Sequence, residues 1–264
     1  LGTLYPLIID FLGLGKISVG ASWFNTMFVP LGVLLAIVVG PGSVSRWKAD
    51  EIKRLGSKMI AALAAAVIFG LAIPLIHGGD MNWKVLLGMA VAVWLTGVTL
   101  QDMWYKSRGQ LARIPKLGLS YHGMVIAHLG IAVTIVGITM VANYSEETSA
   151  RMAPGDVAEL EGYRFEFVDA GHVEGPNYTS DAARFRIFDG DKQIAVLMPE
   201  KRRYTARSQV MTEAAIDVSL WRDVYISMGE PLDGGAWGMR LQVKPFMRWV
   251  WLGAIFMAIG GLLA

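Results

Sequence analysis

Residues 121–142 read YHGMVIAHLGIAVTIVGITMVA, with no Asp, Glu, Lys or Arg and with His128 as the ionisable side chain deep inside the run. A helix rises about 1.5 Å per residue, so the run covers roughly 33 Å, enough to cross the ~30 Å hydrocarbon core of a bilayer. At about 100° per residue, Tyr121, Met124, Val125, Ala132 and Ile135 fall on the His128 face. Gly123, Gly130 and Gly137, seven apart, form a stripe on the opposite face. Glycines so placed let a second helix approach closely. One face is therefore expected to pack on protein and the other to present a single imidazole to apolar surroundings.

Working outward, further apolar blocks fall at about 25–40, 59–76, 85–104 and 246–264. Of the 264 residues, 54% are hydrophobic and 17% charged, against roughly 25% charged in an average soluble domain. The apolar residues come in blocks, which a soluble core would not need, so the pattern predicts several membrane spans. A net charge of +2 gives no case for nucleic acid. With no cysteine there is no disulfide, thiolate ligand or cysteine nucleophile. The chain starts at Leu1 in LGTLYPLIIDFLGL and stops at Ala264 within an apolar run. It is expected to be a piece of a longer protein, with its first and last helices truncated.

Orientation follows from the short loops. Arg46, Lys48, Lys53, Arg54 and Lys58 follow the first block, and Lys106, Arg108, Arg113 and Lys116 lie at 105–120, whereas 77–84 carries only Lys84. The two basic loops are expected on the cytoplasmic side, and everything after 142 outside.

Residues 143–245 differ in kind. Tyr163, Phe165 and Phe167 alternate with Arg164 and Glu166, and Phe185 and Ile187 with Arg184 and Arg186. Asp189-Gly190-Asp191-Lys192 is a turn signal, and Trp237, Met239, Leu241 and Val243 alternate again. Period-two patterning with Gly/Asp turns predicts a small antiparallel β domain. The expected fold is thus a polytopic α-helical membrane protein with a small antiparallel β domain inserted on the periplasmic side. The expected division is 1–142 for transmembrane helices and short loops, 143–245 for the β domain, and 246–264 for a final span.

Of four histidines, His77 and His122 sit at block ends and His172 lies in the β domain. His128 lies mid-span, where a polar side chain needs a partner. Three uses suit it: a hydrogen bond to another helix, a haem or metal ligand, or a proton relay. The apolar face suits a flat apolar macrocycle with a polar iron better than a hydrated metal ion, since no carboxylate lies near it in sequence. His122 is about 120° around the same helix, so a second axial ligand would come from elsewhere.

The chain resembles the C-terminal part of CcmF, the haem lyase subunit family of bacterial cytochrome c maturation, along essentially its whole length. The stretches that carry the likeness are GTLYPL at 2–7, LGKISVG at 14–20, FNTMF at 24–28 and YHGMVIAHLGIAVTIVGI at 121–138. In the β domain they are GPNY at 175–178, EKRRY at 200–204 and MTEAAID at 211–217, followed by GAWGMRLQVKPFMRWVW at 235–251. The related haem lyases of nitrite reductase maturation share much of this pattern. The resemblance implies a multi-pass protein of the bacterial inner membrane that takes haem from a periplasmic haem chaperone. With a thioredoxin-like apocytochrome-handling subunit, it joins haem to the CxxCH thiols of apocytochrome c. It also implies a resident haem b, for which His128, in AHLGIAV, matches one axial histidine. The second ligand is expected outside this segment.

The family's Trp-rich segment of WGGxWxWD type is absent from these residues, as are the histidines that flank it and the other transmembrane histidine. No catalytic residue is therefore assigned, and the segment alone is expected to be inactive. Two other readings stand beside the lyase: a b-type electron-transfer cytochrome and a transporter fragment. Against a transporter, no span is expected to hold a charged pair. Lys201, Arg202 and Arg203, with Arg207 nearby, form a basic cluster. It reads either as a solvated edge strand or as a contact for haem propionates or an acidic partner.

Overall fold

The computed structural model describes residues 4–15, 17, 20–44, 52–76, 82–206 and 210–264. His77, Arg207, Arg46 and Lys48 lie outside the described residues. The chain divides into two compact units, Leu1–Ile135 with Gly253–Ala264, and Val136–Leu252.

The helices are α1 (Leu4–Phe11), α2 (Ala21–Val44), α3 (Ile52–Ile76), α4 (Trp83–Lys106), α5 (Leu119–Tyr144) and α6 (Met247–Leu263), with a 3-10 turn at Leu111–Lys116. Among the described residues, Ser22–Gly42, Trp83–Lys106 and Leu119–Tyr144 are long and apolar enough to cross a membrane, and Met59–Ala72 and Met247–Leu263 are shorter apolar helices. The helices outrun the apolar blocks read from sequence because backbone hydrogen bonding continues into flanking polar residues. Thus α3 begins at Ile52 and takes Lys53, Arg54 and Lys58 into its first turns.

In the first unit, α2, α3 and α4 pack through small residues. Gly70 abuts Ala90, and Gly97 abuts Ala62, so backbones approach where a larger side chain would hold them apart. Pro41 sits inside α2 and has no N–H to give Ile37, four residues back. The indole of Trp94 on α4 donates to that carbonyl instead, at 3.2 Å. This is how a proline is accommodated where water cannot serve. The outward side of α2 leaves Phe28, Leu31, Leu34 and Leu35 exposed, as expected of a surface facing lipid.

Among the described residues the second unit holds ten strands in two sheets. The first has the order β1-β10-β9-β8, made of β1 (Glu146–Met152), β8 (Ala215–Val218), β9 (Arg222–Pro231) and β10 (Trp237–Pro245). The second runs β2-β3-β4-β6-β7, from β2 (Val157–Leu160), β3 (Tyr163–Glu174), β4 (Tyr178–Asp189), β6 (Glu200–Tyr204) and β7 (Val210–Glu213). The remaining strand, β5 (Lys192–Leu197), also pairs with β4. Every pairing is antiparallel. The alternating residues read from sequence close the core. Phe165, Phe167, Phe185 and Ile187 from one sheet meet Val224, Ile226, Met239, Leu241 and Val243 from the other, and Phe167 stacks on Phe185 at 4.7 Å. Gly190 turns the β4–β5 hairpin at φ +57°, so the sequence turn signal is realised.

The connections between the sandwich and its helices are short. Ser145 alone separates α5 from β1, and Phe246 alone separates β10 from α6. Phe246 takes φ +56°, a left-handed conformation that costs a bulky residue of order 1–3 kcal/mol. Its amide donates to Trp221 O at 2.8 Å and its carbonyl accepts from Trp249 N at 3.0 Å, which holds the elbow in place.

Candidate functional site

His128 lies in the middle of α5. Its Nδ1 is buried and finds no hydrogen-bond partner among the described residues. Such an atom costs about 1–3 kcal/mol if it stays unmet. On its face, Val125 and Ala132 are 6% and 4% exposed, so the imidazole is set among apolar groups. The face away from it is closed by α6. In the first unit Gly123 meets Gly260 and Gly130 meets Gly253; in the second, Gly137 meets Val250. A Cβ on Gly130 would stand 2.7 Å from Gly253 O, and one on Gly137 would stand 2.7 Å from Val250 N. The glycine stripe thus packs on a helix, as expected, while on the histidine face Val125 and Ala132 are buried. Among the described residues no group of three His, Asp or Glu could hold a metal ion. Any metal at His128 therefore brings its other ligands from a macrocycle or another segment.

Two turns before His128, Tyr121 donates to Asp102 Oδ2 at 2.7 Å. Asp102 is 4% exposed and is paired with Lys106 at 3.0 Å, whose ammonium also lies 4.3 Å from the Tyr121 ring centroid. This corrects the sequence expectation that no span holds a charged pair. The pair is an i,i+4 contact in the last turns of α4, where the lysine reaches outward. Its signal in the sequence is Asp102 followed four residues later by Lys106; Tyr121 as the third member is visible only in three dimensions.

In the β sandwich, the GPNY, EKRRY and MTEAAID stretches come together on β4, β6 and β7. Tyr178 pairs with Tyr204, and Lys201 with Thr212. In the 175–178 turn the Gly175 amide donates to Tyr178 O at 2.8 Å, and the Tyr178 ring covers the space a Cβ on Gly175 would need. Asn177 O takes both the amide and the hydroxyl of Thr205. Arg202 sits 4.4 Å over the Tyr178 ring and donates to Glu200 at 2.8 Å. That bond, opposed by burial, holds the Glu200 carboxyl below its ordinary value and raises Arg202.

The solvated-edge reading of the basic cluster does not hold, because β6 lies between β4 and β7. Lys201 is 12% exposed, ion-paired with Glu230 and hydrogen-bonded to Gly229 O. Two of the three cations are therefore neutralised locally, and Arg203 is the one that faces solvent. A groove of about 180 Å³ opens beside it, with His172, Asp181 and Trp237 in its wall. His172 Nδ1 lies 3.3 Å from Asp181 Oδ1.

Comparison with known proteins accords with this architecture. Residues 143–245 match the family described as the CcmF C-terminal beta-sandwich. The cytochrome c-type biogenesis protein CcmF of Pseudomonas fluorescens is 45% identical over 270 residues, covering 100% of this chain and 40% of its own. CcmF of Escherichia coli K12 is 41% identical over 263 residues, again 100% and 40%. NrfE of Haemophilus influenzae, a cytochrome c-type biogenesis protein, is 33% identical over 269 residues, covering 99% and 40%. A solved cytochrome c haem lyase CcmF shares the fold at TM-score 0.76 and 18% identity, over 100% of this chain and 42% of that one. The chain spans about 40% of the length of the curated relatives it matches. These relatives are biogenesis proteins, which favours that reading over an electron-transfer cytochrome or a transporter. The likeness runs along the whole chain, its two-sheet domain matches the CcmF C-terminal beta-sandwich, and the chain belongs to the CcmF family.

Proposed function

We propose that this chain is a haem-binding membrane component of cytochrome c maturation, taking part in attachment of haem to the CxxCH motif of apocytochrome c. His128 would hold the iron of a resident haem b, and a further ligand would come from outside these 264 residues. The observation that carries this is the buried, unpartnered His128 Nδ1 on the face of α5 opposite the glycines that meet α6. A polar ring atom at hydrocarbon depth needs a partner, and iron bound at that nitrogen would take the place of one. Bound haem would supply a redox-active iron; what this chain supplies is the imidazole, an apolar wall at Val125 and Ala132, and the rigid α5–α6 contact behind it. On this reading the protein lies in the bacterial inner membrane with residues 143–245 as a periplasmic domain. Its partners are a periplasmic haem chaperone, a thioredoxin-like apocytochrome-handling subunit and apocytochrome c. The relatives' names and the outward apolar surface of the helices support this.

The test is an optical spectrum of the purified full-length protein with pyridine haemochrome quantitation, wild type against His128→Ala. Haem is expected to be lost in the variant while expression holds. Full haem occupancy in His128→Ala would sink the assignment and return His128 to a buried helix contact.

A further inference from the structure

The β8–β9 connection, Ser219-Leu220-Trp221, is a rigid hairpin tip with an apolar end. Ser219 Oγ donates to Arg222 O at 2.7 Å and accepts from Arg222 N at 3.0 Å, so the backbone is fixed. Yet Leu220 and Trp221 are 51% and 61% exposed. Two large apolar side chains held out by a braced turn are costly in water and mark a contact surface.

The position of the tip says which surface. Trp249 Nε1 donates to Leu220 O at 3.1 Å, and Trp221, Phe246 and Trp249 form an aromatic cluster with centroids 5.0–6.0 Å apart. Trp249 stands two residues into α6, about 3 Å along its axis. Beyond Arg248 the helix carries no charged residue and turns Trp251 outward. The tip therefore lies level with the start of an apolar helix. Two cations lie near this level on the sheet side. Arg248 is 42% exposed while paired with buried Asp223, and Lys244 lies 4.6 Å from the Tyr225 ring centroid. An apolar tip with tryptophan at its end and cations just above it matches the headgroup region in both polarity and charge.

We propose that Ser219-Leu220-Trp221 is a membrane-interface anchor: Leu220 and Trp221 insert at the boundary between headgroups and acyl chains beside α6, with Arg248 and Lys244 at phosphate level. The inference rests on α6 entering the bilayer and is independent of haem.

The test places a nitroxide, through single-cysteine substitution, at Leu220, at Trp251 as a lipid reference and at Asp191 on the β4–β5 turn as a water reference. The full-length protein, cleared of cysteines elsewhere, is reconstituted in phospholipid vesicles. Collisions with oxygen are expected to exceed those with a water-soluble nickel chelate at 220 and 251, with the order reversed at 191. Chelate access at 220 like that at 191 overturns the proposal by leaving the tip in water. Low access to both reagents overturns it by covering the tip with protein. Should Leu220→Cys fail to fold, Trp221→Phe serves instead. The fluorescence lost relative to wild type must then be the fraction that acyl-brominated lipids quench; unquenched lost fluorescence refutes insertion.

Discussion

Gly260 and Gly261 are neighbours on α6 with opposite surroundings. A Cβ at 260 would stand 2.5 Å from Gly123 O, 2.6 Å from Ala127 N and 2.8 Å from Ala127 Cβ, whereas one at 261 meets nothing within 4 Å. The obstacles at 260 are α5 backbone and a Cβ fixed to it, so no rotamer change relieves them. Gly260→Ala must push the helices apart by roughly 1 Å, and a gap of that size forfeits about a quarter to a half of each dispersion contact along the seam. Overpacking of this kind costs about 1–3 kcal/mol; with backbone as the obstacle, about 2 kcal/mol is expected, close to 30-fold in the folding equilibrium. Gly261→Ala should instead be neutral or stabilise by up to about 1 kcal/mol, through helix propensity alone. Unfolding of the two variants by dodecyl sulfate in mixed micelles, followed by tryptophan fluorescence, reads the difference. Equal stability of the two variants would refute the close α5–α6 contact, and with it the packing on the side of α5 away from His128.

Two further outcomes follow from the polar contacts. Glu200 is held below its ordinary value of 4.5, chiefly by its hydrogen bond from Arg202. A depressed carboxylate stabilises the fold above its unfolded pKa, and that contribution is lost as pH falls through the lower folded value. Stability of the protein should therefore decline below about pH 4.5, and Arg202→Gln should flatten that decline in denaturant titrations from about pH 6 to about pH 3; an unchanged slope counts against the pair. At the α4–α5 contact, Tyr121→Phe should cost about 1.5–3 kcal/mol, since it strips a donor from a buried carboxylate. A double-mutant cycle with Asp102→Asn should give a coupling of at least about 0.5 kcal/mol, and additivity would show that the 2.7 Å bond carries no energy.

The sandwich is legible in the sequence because period-two alternation survives folding. Phe165, Phe167, Phe185 and Ile187 alternate with charged residues, and all four lie in the core. His128 is legible for a different reason, as an imidazole deep in an uncharged run. Other features are not readable because they depend on which strand or helix lies alongside. EKRRY is as charged as an edge strand yet sits between β4 and β7, since Lys201 and Arg202 find Glu230 and Glu200. The Asp102–Lys106 spacing is visible, but Lys106 joins the helix only because α4 runs on past its apolar block, and Tyr121 reaches the pair across 19 residues of sequence. Nothing in the letters Ser219-Leu220-Trp221 says that the side chains stay exposed; the hairpin tip is braced by Ser219 against Arg222, which lies on the next strand.

The sandwich is held to its two helices by single residues, Ser145 on one side and Phe246 on the other. The strands that leave these points are hydrogen-bonded to each other, Glu146 opposite Val243. A ten-residue flexible tether would let a domain wander by about 17 Å and sample many orientations. With one residue at each joint there is no such slack between the end of α5 and β1 or between β10 and the start of α6, so the local concentration of a partner at the sandwich is set by how that partner docks and not by the length of a tether.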